Sequence, residues 1–162
     1  MMADERTQLV GWLDLQRALV HWKCVGISEE DAHRSVLPTS PLMTVAGIVS
    51  HLRWTEHCWF EVLFLGHRAT ENPQFVDGPQ DADMRVDGVP ITQLLAEYHA
   101  QCTRSNEIIA SHELDATGRN RDFPSGSATL RWMLLHMLEE VARHVGHLDA
   151  IRELLDGSTG YY

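Results

Sequence analysis

The amino-acid sequence predicts an all-α fold, a four-helix bundle built as one domain over residues 1–162. Two observations carry this reading. Four long stretches repeat apolar side chains at helical spacing. Between them lie runs rich in Gly, Pro and Asp, with no strand hairpin and no internal repeat. A chain of 162 residues has room for one domain with a sizeable core. Spacing does not fix the up and down order of the helices, but the long connections leave room for a crossover.

The first helix is expected from Asp4 to Val25, with Leu9, Val10, Leu13, Leu15, Leu19, Val20 and Trp22 forming its buried face. Gly26 can close it, and Ser28-Glu29-Glu30-Asp31 has the spacing of a new helical start. The second helix is expected from Leu42 to Leu65, ending at Gly66. It is apolar around most of its circumference, which places it centrally. Residues 66–90 read as a long acidic loop, with Pro73, Gly78, Pro79, Gly88 and Pro90 interleaved with Asp77, Asp81, Asp83 and Asp87. Connections of that length in compact domains are usually functional or mobile; this one lacks the ligand spacing of a calcium loop. The third helix is expected from Thr92 to Glu113, and the fourth from Thr129 to Leu155, closed by Gly157. The tail, Ser158 to Tyr162, is expected to fray.

Composition narrows the partners. A formal net charge of -10 argues against a phosphate-binding footprint and against an anionic membrane surface, so neither nucleic acid nor membrane is an expected partner. A small-molecule substrate remains. Cys24, Cys58 and Cys102 are widely spaced and odd in number, which fits buried free thiols better than disulfides or a zinc knuckle. The start, Met1 to Arg6, has no basic region followed by an apolar one, and no apolar run approaches the ~20 residues of a membrane span. The expected location is the cytoplasm.

Ten histidines raise the question of which converge. On the last helix Glu140 and His144 stand four residues apart, on one face. At ~100° per residue, His144 lies roughly 40° and Glu140 roughly 80° from the centre of the Leu130–Leu148 stripe, on the same side. Both point into the bundle or along its edge, where an unpaired charge is costly. A divalent cation satisfies both. Bundles build metal sites from His and carboxylate side chains on facing helices, and such a set suits Zn, Ni, Fe or Mn. The third donor must come from another helix. His51, flanked by Val49, Leu52 and Trp54, has few other reasons to stand in an apolar helix; its rival His57 falls on a more polar arc with Arg53 and Glu61. Helical spacing alone leaves a plainer arrangement open, with Glu140 paired to Arg143 and His144 bonded to a carbonyl. His147 is placed beside the site or in its pocket, while His21, His33, His67, His99 and His112 share no face with it and are expected to be exposed. No nucleophile elbow, dinucleotide fingerprint or phosphate loop is present.

The segments "LMTVAGIVSHLRWTEHCWF" (42–60) and "TLRWMLLHMLEEVARHVGHLDAIRELL" (129–155), with the start "LVGWLDLQRALVHWKCVGISEEDAHR", resemble the DinB/YfiT superfamily in its small actinobacterial branch. The resemblance spans nearly the whole chain. It implies a four-helix bundle with a crossover and a three-residue metal site of one His from the second helix and an HxxxH pair from the last. His51 matches the first and His144 the second of the pair; Glu140 stands where many relatives have His. That His-Glu-His set resembles the mycothiol-dependent maleylpyruvate isomerases. It implies zinc, with nickel or iron as alternatives, and mycothiol as thiol co-substrate in S-transfer or thiol-dependent isomerisation. A metal-dependent hydrolase or a non-catalytic stress-response module is the competing expectation. A homodimer is in keeping with the family. No catalytic or cofactor-binding residue beyond the metal set is assigned.

Overall fold

The computed structural model describes residues 3–76, 78–79 and 81–160; Asp77 and the end of the tail, Tyr161 and Tyr162, lie outside the described residues. The expected all-α architecture is what folds. The helices are α1 (Glu5–Cys24), the short α2 (Glu29–His33), α3 (Val45–Glu56), α4 (Ile91–Ala110) and α5 (Leu130–Asp156). Short 3₁₀ turns, Ala82–Met84 and Pro124–Ser127, stiffen the two long connections. Side chains define several starts: Asp4, Ser28, Thr44 and Thr129 each accept a hydrogen bond from the backbone N–H three residues on. Gly157, at φ 73°, closes α5 as expected.

Side-chain contacts reveal the order of directions. Glu5 meets Arg131 where α1 and α5 begin, and Arg152 donates to the Lys23 carbonyl where they end, so these two helices run parallel. His51 meets Glu140 while Trp59 lies 4.3 Å from His136, ring to ring, so α3 runs against α5. Arg53 pairs with Glu97 and Gln101 donates to Glu61, so α3 and α4 are parallel. The order is up, down, down, up. Parallel α3 and α4 require their connection, residues 65–90, to travel the length of the bundle, and this is the crossover. Leu13, Ile48, Leu52, Phe60, Met137 and Leu148 fill the interior, each fully buried.

Three expectations change. The second helix does not stay α-helical to Leu65: from His57 to Phe64 the backbone widens into π-helical turns, with Leu65 N–H donating to the Phe60 carbonyl five residues back. The wider turn shifts the phase of the side chains that follow it, and Trp59 faces α5. Leu15 and Trp22 belong to the outer surface of α1, at 37% and 39% exposure. His21, His33 and His112 are half-buried rather than exposed: His21 lies against Tyr98 and His99, His33 contacts the Val89 carbonyl, and His112 packs edge-on against Phe64. His67 and His99 are exposed as expected, and the three cysteines are buried free thiols.

The connection between α4 and α5 folds tightly over the bundle end. Gly118 N–H donates to the Ala128 carbonyl and Leu130 N–H to that of Ala116. A Cβ on Gly126 would stand 1.9 Å from the Asn120 carbonyl oxygen, and this neighbour is backbone and cannot swing away. Gly126→Ala is therefore expected to lower stability by about 1–3 kcal/mol, as overpacking does, read as a fall in the urea midpoint at unchanged slope. An unchanged midpoint would show that this connection is loose.

Candidate metal centre

Antiparallel packing of α3 on α5 brings the fifty-first residue of the chain against the hundred-and-fortieth. His51 Nε2 lies 3.2 Å from Glu140 Oε1, and His144 Nε2 lies 3.4 Å from the same oxygen. One ligating atom from each of the three lies within 4.8 Å of the others. The rings of His51 and His144 stand 4.8 Å apart. The angular reading of α5 also holds: His144 is buried and Glu140 sits at the edge of the bundle, where Arg143 reaches its second oxygen at 3.7 Å. The solvent-side pairing of Glu140 with Arg143 thus coexists with its inward contacts.

The other face of His51 is equally constrained. Its Nδ1 lies 2.6 Å from Asp83 Oδ2, and Asp83 also accepts from Gln74 Nε2 at 2.7 Å. Thr55 Oγ1 lies 3.4 Å from His51 Nε2, one turn along α3. On α5, His147 Nδ1 comes within 3.5 Å of His144 Nδ1, so His147 adjoins the cluster as expected. His57 takes no part; its ring packs edge-on against Trp54, and burial pushes its pKa down.

These contacts set the charges. Burial works against the His51 imidazolium, but hydrogen bonds to Asp83 and Glu140 prevail and push its pKa up to about 9. Hydrogen bonds from His144 and His51 hold the Glu140 carboxyl well below the usual carboxylate range. Burial opposes ionisation of Asp83, yet the hydrogen bonds from His51 and Gln74 keep its pKa below the ordinary value. The cluster therefore stores anionic oxygen next to imidazole nitrogen, the arrangement a divalent cation exploits.

Donor chemistry and spacing both fit such an ion. For ligand bonds of about 2.0–2.1 Å the edge of a tetrahedron is about 3.3–3.4 Å, close to the two contacts Glu140 makes. All three donors come from rigid helices. A pocket of about 340 Å³ opens beside His51, between α3 and the crossover, lined by Gln74, Val76, Asp83 and Met84 among others.

Sequence reasoning found the three residues of the cluster and missed Asp83. It stands in the run Asp77, Asp81, Asp83, Asp87, which reads only as part of an acidic loop. The available signal was weak: Asp83 alone is bracketed by apolar neighbours, Ala82 and Met84.

Comparison with known proteins adds a family. A family model described as Mycothiol-S-transferase matches residues 8–157, nearly the whole chain. No curated protein and no solved structure matches. No helix among the described residues is long and apolar enough to cross a membrane.

Proposed function

The chain belongs to the mycothiol-S-transferase family, a DinB-like branch, and from that premise we propose a metal-dependent transferase that joins the sulfur of mycothiol to a small electrophile. His51, Glu140 and His144 are the residues that hold the ion, zinc being the one the donor set suits best, with nickel or iron able to replace it. The observation that carries this reading is the convergence of three ligating atoms within 4.8 Å on two facing helices. When bound, a divalent ion supplies the open position at which a thiol ionises more readily.

The protein's own residues then do the rest. Glu140, ionised and shared between two imidazoles, keeps both rings turned toward one point. The pocket beside His51, on the side of Gln74 and Asp83, offers room for a small substrate. In the transfer the thiol proton leaves to solvent, a carbon–sulfur bond forms, and the leaving group departs with its bonding pair. The cytoplasm, where low-molecular-weight thiols stay reduced, is the location that this chemistry and the buried free thiols favour.

The test is an assay of the metal-loaded protein with mycothiol and an electrophile that carries a halide leaving group. A conjugation rate that needs both protein and thiol, and that chelation removes, is expected. A metal-loaded protein that accelerates conjugation of no low-molecular-weight thiol would overturn the transferase and leave a metal-binding module or hydrolase.

A further inference from the structure

We propose that Asp83 is the positioning residue of this centre: carried in by the crossover connection, its carboxylate fixes His51 with Nδ1 protonated and Nε2 turned toward Glu140 and His144. The inference rests on the metal-binding reading of those three residues and deepens it by tying the centre to a segment that belongs to neither helix.

The geometry behind it is over-determined. Asp83 has a side chain only 4% exposed, in a connection that is otherwise largely at the surface. A buried carboxylate is costly unless partnered, and its partner is His51 Nδ1, at 2.6 Å. An ionised carboxylate can only accept, so the hydrogen on this axis sits on Nδ1. With Nδ1 committed to Asp83, Nε2 is the nitrogen that faces Glu140 and His144 and would reach an ion held there.

Asp83 is fastened through its backbone as well as its carboxylate. Ser50 Oγ, the residue before His51, donates to the Asp83 carbonyl at 2.6 Å, which pins the loop backbone to α3. Gln74 Nε2 donates to the carboxylate, and Gln74 is in turn placed by Asn72, which is fully buried. Asn72 accepts from Gln74 N–H at 3.0 Å and donates to the Trp54 carbonyl at 3.0 Å. Asp81, two residues before, takes a left-handed conformation (φ 58°, ψ 33°) uncommon for a residue with a side chain. That turn leads directly into Ala82–Met84 and delivers Asp83 inward. A surface loop with no task at the centre has no use for this much fastening.

A carboxylate behind a ligating histidine orients the ring and raises its basicity, and losing it costs 10- to 100-fold in metal affinity. Competition between the protein and a chromogenic chelator for zinc measures this. Asp83→Ala is expected to weaken zinc binding 10- to 100-fold. Asp83→Asn, which keeps an accepting oxygen and loses the charge, should fall between wild type and alanine. Far-ultraviolet circular dichroism checks the fold, and the asparagine variant serves if alanine fails to fold.

A second readout separates positioning from mere packing. Long-range ¹⁵N–¹H correlation on the zinc-loaded wild type should show His51 protonated at Nδ1, and that signature should be lost in the alanine variant. Unchanged zinc affinity in a folded Asp83→Ala or Asp83→Asn protein overturns the role of Asp83 alone. A wild-type protein that binds no zinc overturns the parent reading with it.

Discussion

His144→Ala is expected to abolish the stabilisation that a divalent ion gives the wild type. An ion that binds the folded chain and not the unfolded one adds about 2.7 kcal/mol at a free concentration of 100 times its Kd. For a chain of this size that is a rise in Tm of roughly 5–10 °C. His51→Ala and Glu140→Ala should behave alike, because each removes one of three converging atoms. Transferase activity should fall with the metal in all three. His57→Ala and His67→Ala are the controls: neither residue reaches the cluster, and both should keep the full shift. Elemental analysis gives the same answer without activity, with one equivalent in the wild type and far less in each variant. A shift that survives all three substitutions would mean that the ion binds elsewhere, and the proposed centre would be lost with the function built on it.

Why these three residues were legible, and others not, follows from the distances over which physical signals act along the chain. Glu140 and His144 share a helix, so their common face is a matter of local periodicity. His51 stood out because an imidazole in an apolar helix contradicts its surroundings. The four long helices could be read in the same way, and Gly157 marked the end of the last. What eluded reading depends on tertiary structure. Asp83 is meaningful only once the crossover lies on α3, and its apolar neighbours Ala82 and Met84 are the one faint local mark that sets it apart from Asp81 and Asp87. The π-helical turns from His57 to Phe64 carry no compositional mark, since an apolar run fits either winding. The half-burial of His21 and His112 likewise needs neighbours from other helices. Local order predicts elements; partners across the bundle decide which polar residues go inside.

Glu56→Ala is the substitution expected to cost the fold most. Glu56 is fully buried, and Arg17 on α1 is 4% exposed. They form a two-pronged pair, with Arg17 Nε 2.7 Å from Oε1 and Nη2 2.6 Å from Oε2. The remaining guanidinium nitrogen bridges Asp14 and Asn106, each at 2.8 Å, so one side chain ties α1 to α3 and α4. Burial disfavours the charge on Arg17, and Glu56 more than restores it, raising its pKa. Removing the carboxylate leaves that guanidinium buried with only the peripheral Asp14 as counter-charge, a loss of about 3–5 kcal/mol. Folded domains hold only about 5–15 kcal/mol in total, so much of the margin would go. The double variant Arg17→Met/Glu56→Leu should recover most of it, because apolar side chains of similar volume avoid the desolvation that the ion pair must offset. Urea titrations of the two single variants and the double close a thermodynamic cycle, and the coupling energy isolates the pair. A Glu56→Ala loss below about 1 kcal/mol, the range of exposed pairs, would mean that water reaches Arg17 and that α1 is not clamped there. With the clamp intact, α3 keeps one rotational setting, with Glu56 toward α1 and His51 toward α5. The stability of this ion pair and the aim of the candidate metal ligand are then consequences of the same helix orientation.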